Sequence, residues 1–125
     1  AIIWKDNKFL ICQRPLHKAR SLLWEFVGGK VEKNESHEQA LVRECYEELG
    51  IKVKVGKLFE FVEYAYPDIK IKLYIYNCEL IEGQPQILEH RDIKWITMLE
   101  TDKYNFCPAD KKALDNFKLK NKNVY

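Results

Sequence analysis

The segment GGKVEKNESHEQALVRECYEELGI, residues 28–51, constrains this chain more than any other, because it specifies a helix with both ends marked and then crowds like charges onto it. Ser36 and Gln39 stand in the S-x-x-Q relation of a capping box, which predicts a helix starting at Ser36. Ala40, Leu41, Cys45 and Leu49 form a stripe for burial, and Gly50 suits the position just past the last turn. At about 100° of rotation per residue, Glu44, Glu47 and Glu48 fall on one side within an arc of about 100°. Three ionised carboxylates converging there repel one another and raise each other's proton affinity, unless something positive sits among them.

Two positive partners suggest themselves. Arg43 borders the acidic side and can pair with Glu47 one turn on, with Glu35 also in reach, which would make this an ordinary solvated face with a salt bridge. The other is one or more hard divalent cations. An all-oxygen ligand set suits Mg²⁺ or Mn²⁺ rather than zinc, and Mg²⁺ shares its shell with phosphate oxygens, so a metal here implies a phosphate-bearing ligand.

Around this helix the pattern is mostly strand-like. AIIW and FLICQR read as two strands joined by the polar turn KDNK, PLHKARSLL as a loop, and WEFV as a short strand running into Gly28 and Gly29. Residues 51–66 and 69–80 alternate as strands around the turn YPD, and IKWI is another short strand. Pro108-Ala109-Asp110 opens a last amphipathic helix carrying Ala113, Leu114 and Phe117, and the tail KLKNKNVY reads as its frayed, solvated end. Irregular alternation of strands and helices predicts a mixed sheet covered by helices, in a chain whose 125 residues make one domain, 1–125.

Composition removes several classes of function. A net charge of +2 is too small to argue for nucleic acid, and no run approaches the ~18 apolar residues of a membrane span. Cys12, Cys45, Cys78 and Cys107 form no C-x-x-C pair, which supports neither a zinc nor a redox site, and three of the four sit in apolar runs and read as buried thiols of a reducing compartment. No signal peptide is recognisable, and a cytoplasmic location is expected. The chain opens at Ala1 inside a strand-like run without a methionine, and a few residues are expected to precede it.

The spacing within residues 29–51 goes further than a generic acidic helix. Gly29, Glu35, Arg43, Glu44, Cys45, Glu47, Glu48, Gly50 and Ile51 follow G-x5-E-x7-R-E-U-x-E-E-x-G-U, where U is bulky and apolar, with Cys45 as the loosest fit. That is the Nudix box, and the chain resembles the Nudix hydrolases. WEFVGGKVE, EYAYPDIKIKLYIY, EGQP, the spacing from Glu89 to Trp95, and PAD at 108–110 also resemble the MutT-type 8-oxo-dGTP diphosphatases. The resemblance implies an α/β (α+β) Nudix fold, a mixed sheet between helices with the box as loop, helix and loop.

It also implies roles. Glu44, Glu47 and Glu48, with the carbonyl of Gly28, are expected to hold Mg²⁺, or Mn²⁺. Glu89 matches a further metal ligand or general base of MutT-type enzymes, and Glu44 is the rival base. Gly29, Glu35, Arg43 and Gly50 shape the box, Lys30 and Arg14 are expected on phosphate, and Phe26 and Tyr66 either pack on a base or belong to the core. His17, His37 and His90 are expected on the surface. Asp110 stands where MutT-type enzymes carry an asparagine that reads oxidised guanine. An amide accepts and donates, whereas an ionised aspartate only accepts. Asp110 therefore points to a cytosine amino group, as in the CTP pyrophosphohydrolase branch that PAD also resembles, or merely to a cap on the last helix. Val27 replaces the usual proline before the glycines, and Ile69 stands where an arginine can lie beside the nucleotide.

The activity expected from this resemblance is Mg²⁺-dependent cleavage of a nucleoside triphosphate to monophosphate and pyrophosphate. 8-oxo-dGTP is the leading substrate, in the service of a clean nucleotide pool. CTP or a modified dCTP is the alternative, followed by ADP-ribose or a non-catalytic Nudix module. No nucleic-acid or membrane partner is expected, and the protein is read as a monomer or homodimer.

Overall fold

The computed structural model describes residues 1–121, so the last part of the KLKNKNVY tail lies outside the described residues. Six strands form one mixed sheet: β1 (Ile2–Lys5), β2 (Lys8–Gln13), β3 (Trp24–Glu25), β4 (Lys52–Ala65), β5 (Lys70–Glu82) and β6 (Asp92–Ile96). The order is β3-β2-β1-β5-β4, with β6 pairing β2, and β1 lies parallel to β5 while the other pairs run antiparallel. The helices are α1 (His37–Leu49) and α2 (Pro108–Lys120), with a 3₁₀ turn at Met98–Lys103 that the sequence reading did not anticipate. WEFV is strand only at Trp24–Glu25; Phe26 and Val27 already leave the sheet toward the glycines.

Strand alternation builds the layers. Ile2, Phe9, Ile11 and Ile75 enter a core with Ala109, Ala113 and Leu114 of α2, whereas Ile3, Leu10 and Cys12 enter a second core with Leu41, Cys45 and Leu49 of α1. Because side chains of one strand point alternately to the two faces, β1 and β2 feed both cores and the sheet lies between the helices. Burial of side chains such as Leu49 and Leu114, each at most 2% exposed, contributes about 1.5–3 kcal/mol apiece.

The ends of α1 are fixed as the spacing predicts. Ser36 Oγ accepts from the Gln39 amide at 3.0 Å while Gln39 Oε1 accepts from the Ser36 amide at 2.9 Å. Gly50 ends the helix in the left-handed region at φ 67°, a conformation that costs glycine little. The first part of the basic tail is helix tied to the body rather than frayed: Lys118 Nζ donates to Thr101 Oγ1, and Lys120 Nζ to Glu60 Oε1 at 2.8 Å. All four cysteines are buried and free, one more buried than the apolar runs predict. No helix of the described residues is long and apolar enough to cross a membrane.

A carboxylate-rich candidate active site

Three segments meet at one end of the sheet: the chain leaving β3 through Gly28 and Gly29, the C-terminal half of α1, and the loop leading into β6. Their junction is organised by two charged hubs.

Arg43 is the first hub. Its guanidinium makes a two-pronged contact with Glu35 at 2.8 and 3.0 Å, and reaches Glu44 at 2.7 Å, Glu47 at 3.3 Å and the carbonyl of Lys30 at 3.1 Å. The planar fork suits such multiple contacts and pins the loop after the glycines onto the helix. Arg43 and the Glu32 amide hold the Glu35 carboxyl down at about 2. Gly29 is packed so tightly here that a Cβ would lie 2.6 Å from the Glu44 carboxyl carbon.

Glu48 and His90 form the second. Glu48 is 8% exposed, and burial, then the neighbouring Glu44, Glu25 and Glu89, push its carboxyl up to about 9. Its Oε2 is buried with no hydrogen-bond partner. His90, expected on the surface, is buried: its Nε2 lies 3.3 Å from Glu25 Oε2 and 3.5 Å from Glu48 Oε1. The histidine is turned inward, toward the two carboxyl groups beneath the loop. Glu25 in turn receives Arg14 at 2.8 Å. Burial would raise the Glu25 carboxyl, but hydrogen bonds from His90 and Arg14 outweigh it and leave it below the usual range. His37 is half-buried against Tyr74, with Nδ1 2.9 Å from the Tyr76 hydroxyl, and only His17 is plainly exposed.

The predicted carboxylates are therefore brought together in part. Glu44 and Glu48 lie side by side, Glu89 is exposed nearby, and Glu47 turns to Arg43. Among the described residues no three His, Cys, Asp or Glu side chains are grouped closely enough to hold an ion. Arg43 at Glu44 and Glu47, and the raised proton affinity of buried Glu48, are two other ways in which the mutual repulsion is relieved. The donor set still fits a hard cation. A buried carboxyl with an unsatisfied oxygen, a second carboxylate against the glycine backbone, and half-buried Gly28 are all oxygen donors.

The remaining predicted residues flank this centre. Lys30 is exposed, and Arg14 also donates Nε to the Ala19 carbonyl at 2.7 Å. Phe26 is 7% exposed and packs between Phe9 and Phe106, so its ring belongs to the core. The Tyr66 hydroxyl accepts from the Ala109 amide at 2.9 Å, and the Arg20 guanidinium covers its ring at 4.1 Å. Asp110 does not occupy the cap position of α2, which is Cys107; its Oδ2 accepts from the Phe26 amide at 3.0 Å, tying β3's exit to α2. Burial, and then the Glu25 charge, push its carboxyl up to about 7.

Sequence reading assigned no role to Glu25 and misplaced His90. Glu25 carried a signal, since it stands inside the WEFVGGKVE segment that resembles MutT-type enzymes. His90 carried none, because a histidine in the polar run LEHR looks like any loop residue.

Comparison with known proteins agrees with this architecture. A NUDIX domain model matches residues 1–116. The chain is 40% identical over 117 residues to the CTP pyrophosphohydrolase of Escherichia coli, covering 94% of this chain and 87% of that protein. It is 36% identical over 116 residues to the 8-oxo-dGTP diphosphatase of the same organism, covering 91% and 88%. The crystal structure of the MutT NUDIX hydrolase from Burkholderia pseudomallei superposes with a TM-score of 0.82 at 25% identity, covering 91% of each chain. The box, the sheet between helices and these relatives together lead to one statement: this chain belongs to the Nudix family, hydrolases acting on phosphoric anhydrides.

Proposed function

We propose that this protein is a Mg²⁺-dependent nucleoside triphosphate pyrophosphohydrolase that removes 8-oxo-dGTP from the nucleotide pool, with CTP or a modified dCTP as the second reading. The observation that carries the catalytic part is the Glu44–Glu48 pair beside Gly28 and Gly29. One carboxyl is buried with a free oxygen, and the other is pressed on the backbone, in a protein whose relatives cleave phosphoric anhydrides. Glu44, Glu48 and the Gly28 carbonyl would hold the ion, with Glu47 and Glu89 joining once phosphate is present. When bound, Mg²⁺ supplies positive charge against the developing charge on the bridging oxygen and acidifies a water.

The chain's own groups do the rest. Arg14 and Lys30 neutralise phosphate oxygens and orient the chain of phosphates for in-line attack. Glu44 or Glu89 accepts a proton from the attacking water at a carboxylate oxygen. The Arg43–Glu35 contact keeps the glycine loop seated on α1 while this happens.

Asp110 supports both nucleobase readings. With its carboxyl up at about 7, it carries a proton much of the time near neutrality. A carboxylic acid donates and accepts, the same pair an amide offers to oxidised guanine; the ionised form only accepts, which suits a cytosine amino group. Pyrophosphate release from 8-oxo-dGTP, dGTP, CTP, dCTP and ADP-ribose, measured with Mg²⁺, tests the proposal. The oxidised purine is expected to be hydrolysed well above dGTP. A preference for CTP over every purine would replace the first reading with the second, and no turnover of any triphosphate would end both.

A further inference from the structure

Among the described residues His90 is the one buried histidine, and nothing in the proposed reaction requires it. Its side chain is 3% exposed. The loop holding it is anchored next door, where the Arg91 amide donates to the Gln13 carbonyl at 2.9 Å. Its Nε2 faces two carboxylate oxygens, Glu25 Oε2 at 3.3 Å and Glu48 Oε1 at 3.5 Å. A lone pair aimed at the Glu25 carboxylate, which is paired with Arg14 at 2.8 Å, would be repelled, so Nε2 carries hydrogen. The contact with Glu25 is a hydrogen bond, and Glu48 Oε1 stands beside it at ion-pair distance. Nδ1 is buried and has no partner, so the ring is not held in place by any second hydrogen bond. A buried ring nitrogen left unsatisfied is costly, a cost that a space-filling apolar residue would not incur.

This arrangement sets one oxygen of Glu48 against the imidazole and leaves the other open. Oε1 faces the His90 donor, while Oε2 is buried without a partner. Behind His90 the chain of contacts continues through Glu25 to Arg14, which is tied to β2's end and the following loop. We infer that His90 is a positioning residue: its ring, oriented by the hydrogen bond to Glu25 and backed by Arg14, stands against Glu48 Oε1 so that Oε2 is presented to the divalent cation. The inference rests on the metal role proposed above for Glu48. It extends that role to a residue outside the box and links the phosphate-side arginine to the metal carboxylate through Arg14–Glu25–His90–Glu48.

The test separates this role from simple packing. The amide nitrogen of glutamine can reach the position of Nε2; that of asparagine falls short, near Nδ1; leucine fills the space without a donor. Binding of Mn²⁺ alone is followed by loss of the free-ion electron spin resonance signal, and Mg²⁺ dependence of turnover is followed separately. Wild type is expected to bind Mn²⁺, His90→Gln to stay within about threefold of it, and His90→Asn and His90→Leu to bind at least tenfold more weakly. Turnover of the two weak variants should recover largely at high Mg²⁺, with the nucleotide KM little changed. Wild-type affinity in His90→Leu, or equal losses in His90→Gln and His90→Asn, overturns the inference. Nitrogen-15 spectroscopy of the unaltered protein gives an independent check that needs no variant. Hydrogen on Nε2, with a resonance displaced by Mg²⁺, is expected, and hydrogen on Nδ1 alone overturns it. Absence of Mn²⁺ binding to wild type would instead remove the metal role of Glu48 itself, and Glu48→Gln, expected to bind weakly, serves as the reference for that outcome.

Discussion

Asp110 and Gly29 illustrate how much rests on single atoms here. Asp110 sits enclosed between the β3 exit and α2 with its carboxyl up at about 7, so its donor–acceptor character changes across the neutral range. The ratio of 8-oxo-dGTP to CTP turnover is therefore expected to fall as pH rises from 6 to 8.5, because the proton that makes the residue amide-like is lost. Asp110→Asn should remove that pH dependence and favour the oxidised purine; steady-state kinetics on both substrates across the range checks it. At Gly29 the constraint is steric. An alanine Cβ would meet the Glu44 carboxyl at 2.6 Å, and moving Glu44 breaks its 2.7 Å contact with Arg43. Gly29 does not need a left-handed backbone, so Gly29→Ala should fold normally yet lose about 100-fold in kcat, the scale of a misplacement of about 1 Å. Circular dichroism together with kinetics distinguishes the two effects.

At the scale of elements, α1 carries most of the chemistry and its ends determine where that chemistry falls. The capping box sets the helix start, the left-handed Gly50 sets its stop, and the buried stripe sets its rotation, so Glu44 and Glu48 have little freedom. Ser36→Ala removes one of the two reciprocal bonds at the start and should cost about 1 kcal/mol, seen as a lower denaturation midpoint with an unchanged slope. Turnover should survive, since the cap lies two turns from Glu44. The loop between Gly29 and Ser36 has no regular structure of its own, and Arg43 holds it by contacts with Glu35 and the Lys30 carbonyl. Such a loop can present backbone oxygens to a ligand and still be firmly placed.

For the whole molecule, stability and metal binding are linked through protons. Glu48 and Asp110 are raised, from 4.5 to about 9 and from 3.8 to about 7, so the fold takes up protons at both. Their contribution to stability is complete below about pH 4 and is lost as pH rises through 7 and then 9. Glu35, lowered to about 2, and Glu25, also lowered, act oppositely and lose their contribution as pH falls below about 4.5. Metal-free protein should thus be most stable in mildly acidic solution, with Tm declining between pH 7 and 9. Mg²⁺ should raise Tm most at the alkaline end, where it takes the place of the Glu48 proton. Glu48→Gln should flatten the alkaline decline and abolish the Mg²⁺ effect; calorimetry with and without chelator checks both.

The sequence by itself determined the element types, the two ends of α1 and the acidic pattern on it, because these depend on residues within a few positions of one another: a reciprocal cap, a left-handed glycine, an alternation of period two. Arg43's attachment to Glu35 and Glu47 was legible for the same reason. Only the tertiary structure decided which of those carboxylates is buried. Glu47 faces solvent and an arginine, while Glu48 is enclosed by β3 and by the loop before β6, elements distant from it in the chain. Burial and the company of remote charges set proton affinity, and neither is local. His90 and Glu25 became partners in the same way: 65 positions separate them, and only the closing of the sheet against α1 puts an imidazole nitrogen between two carboxylates.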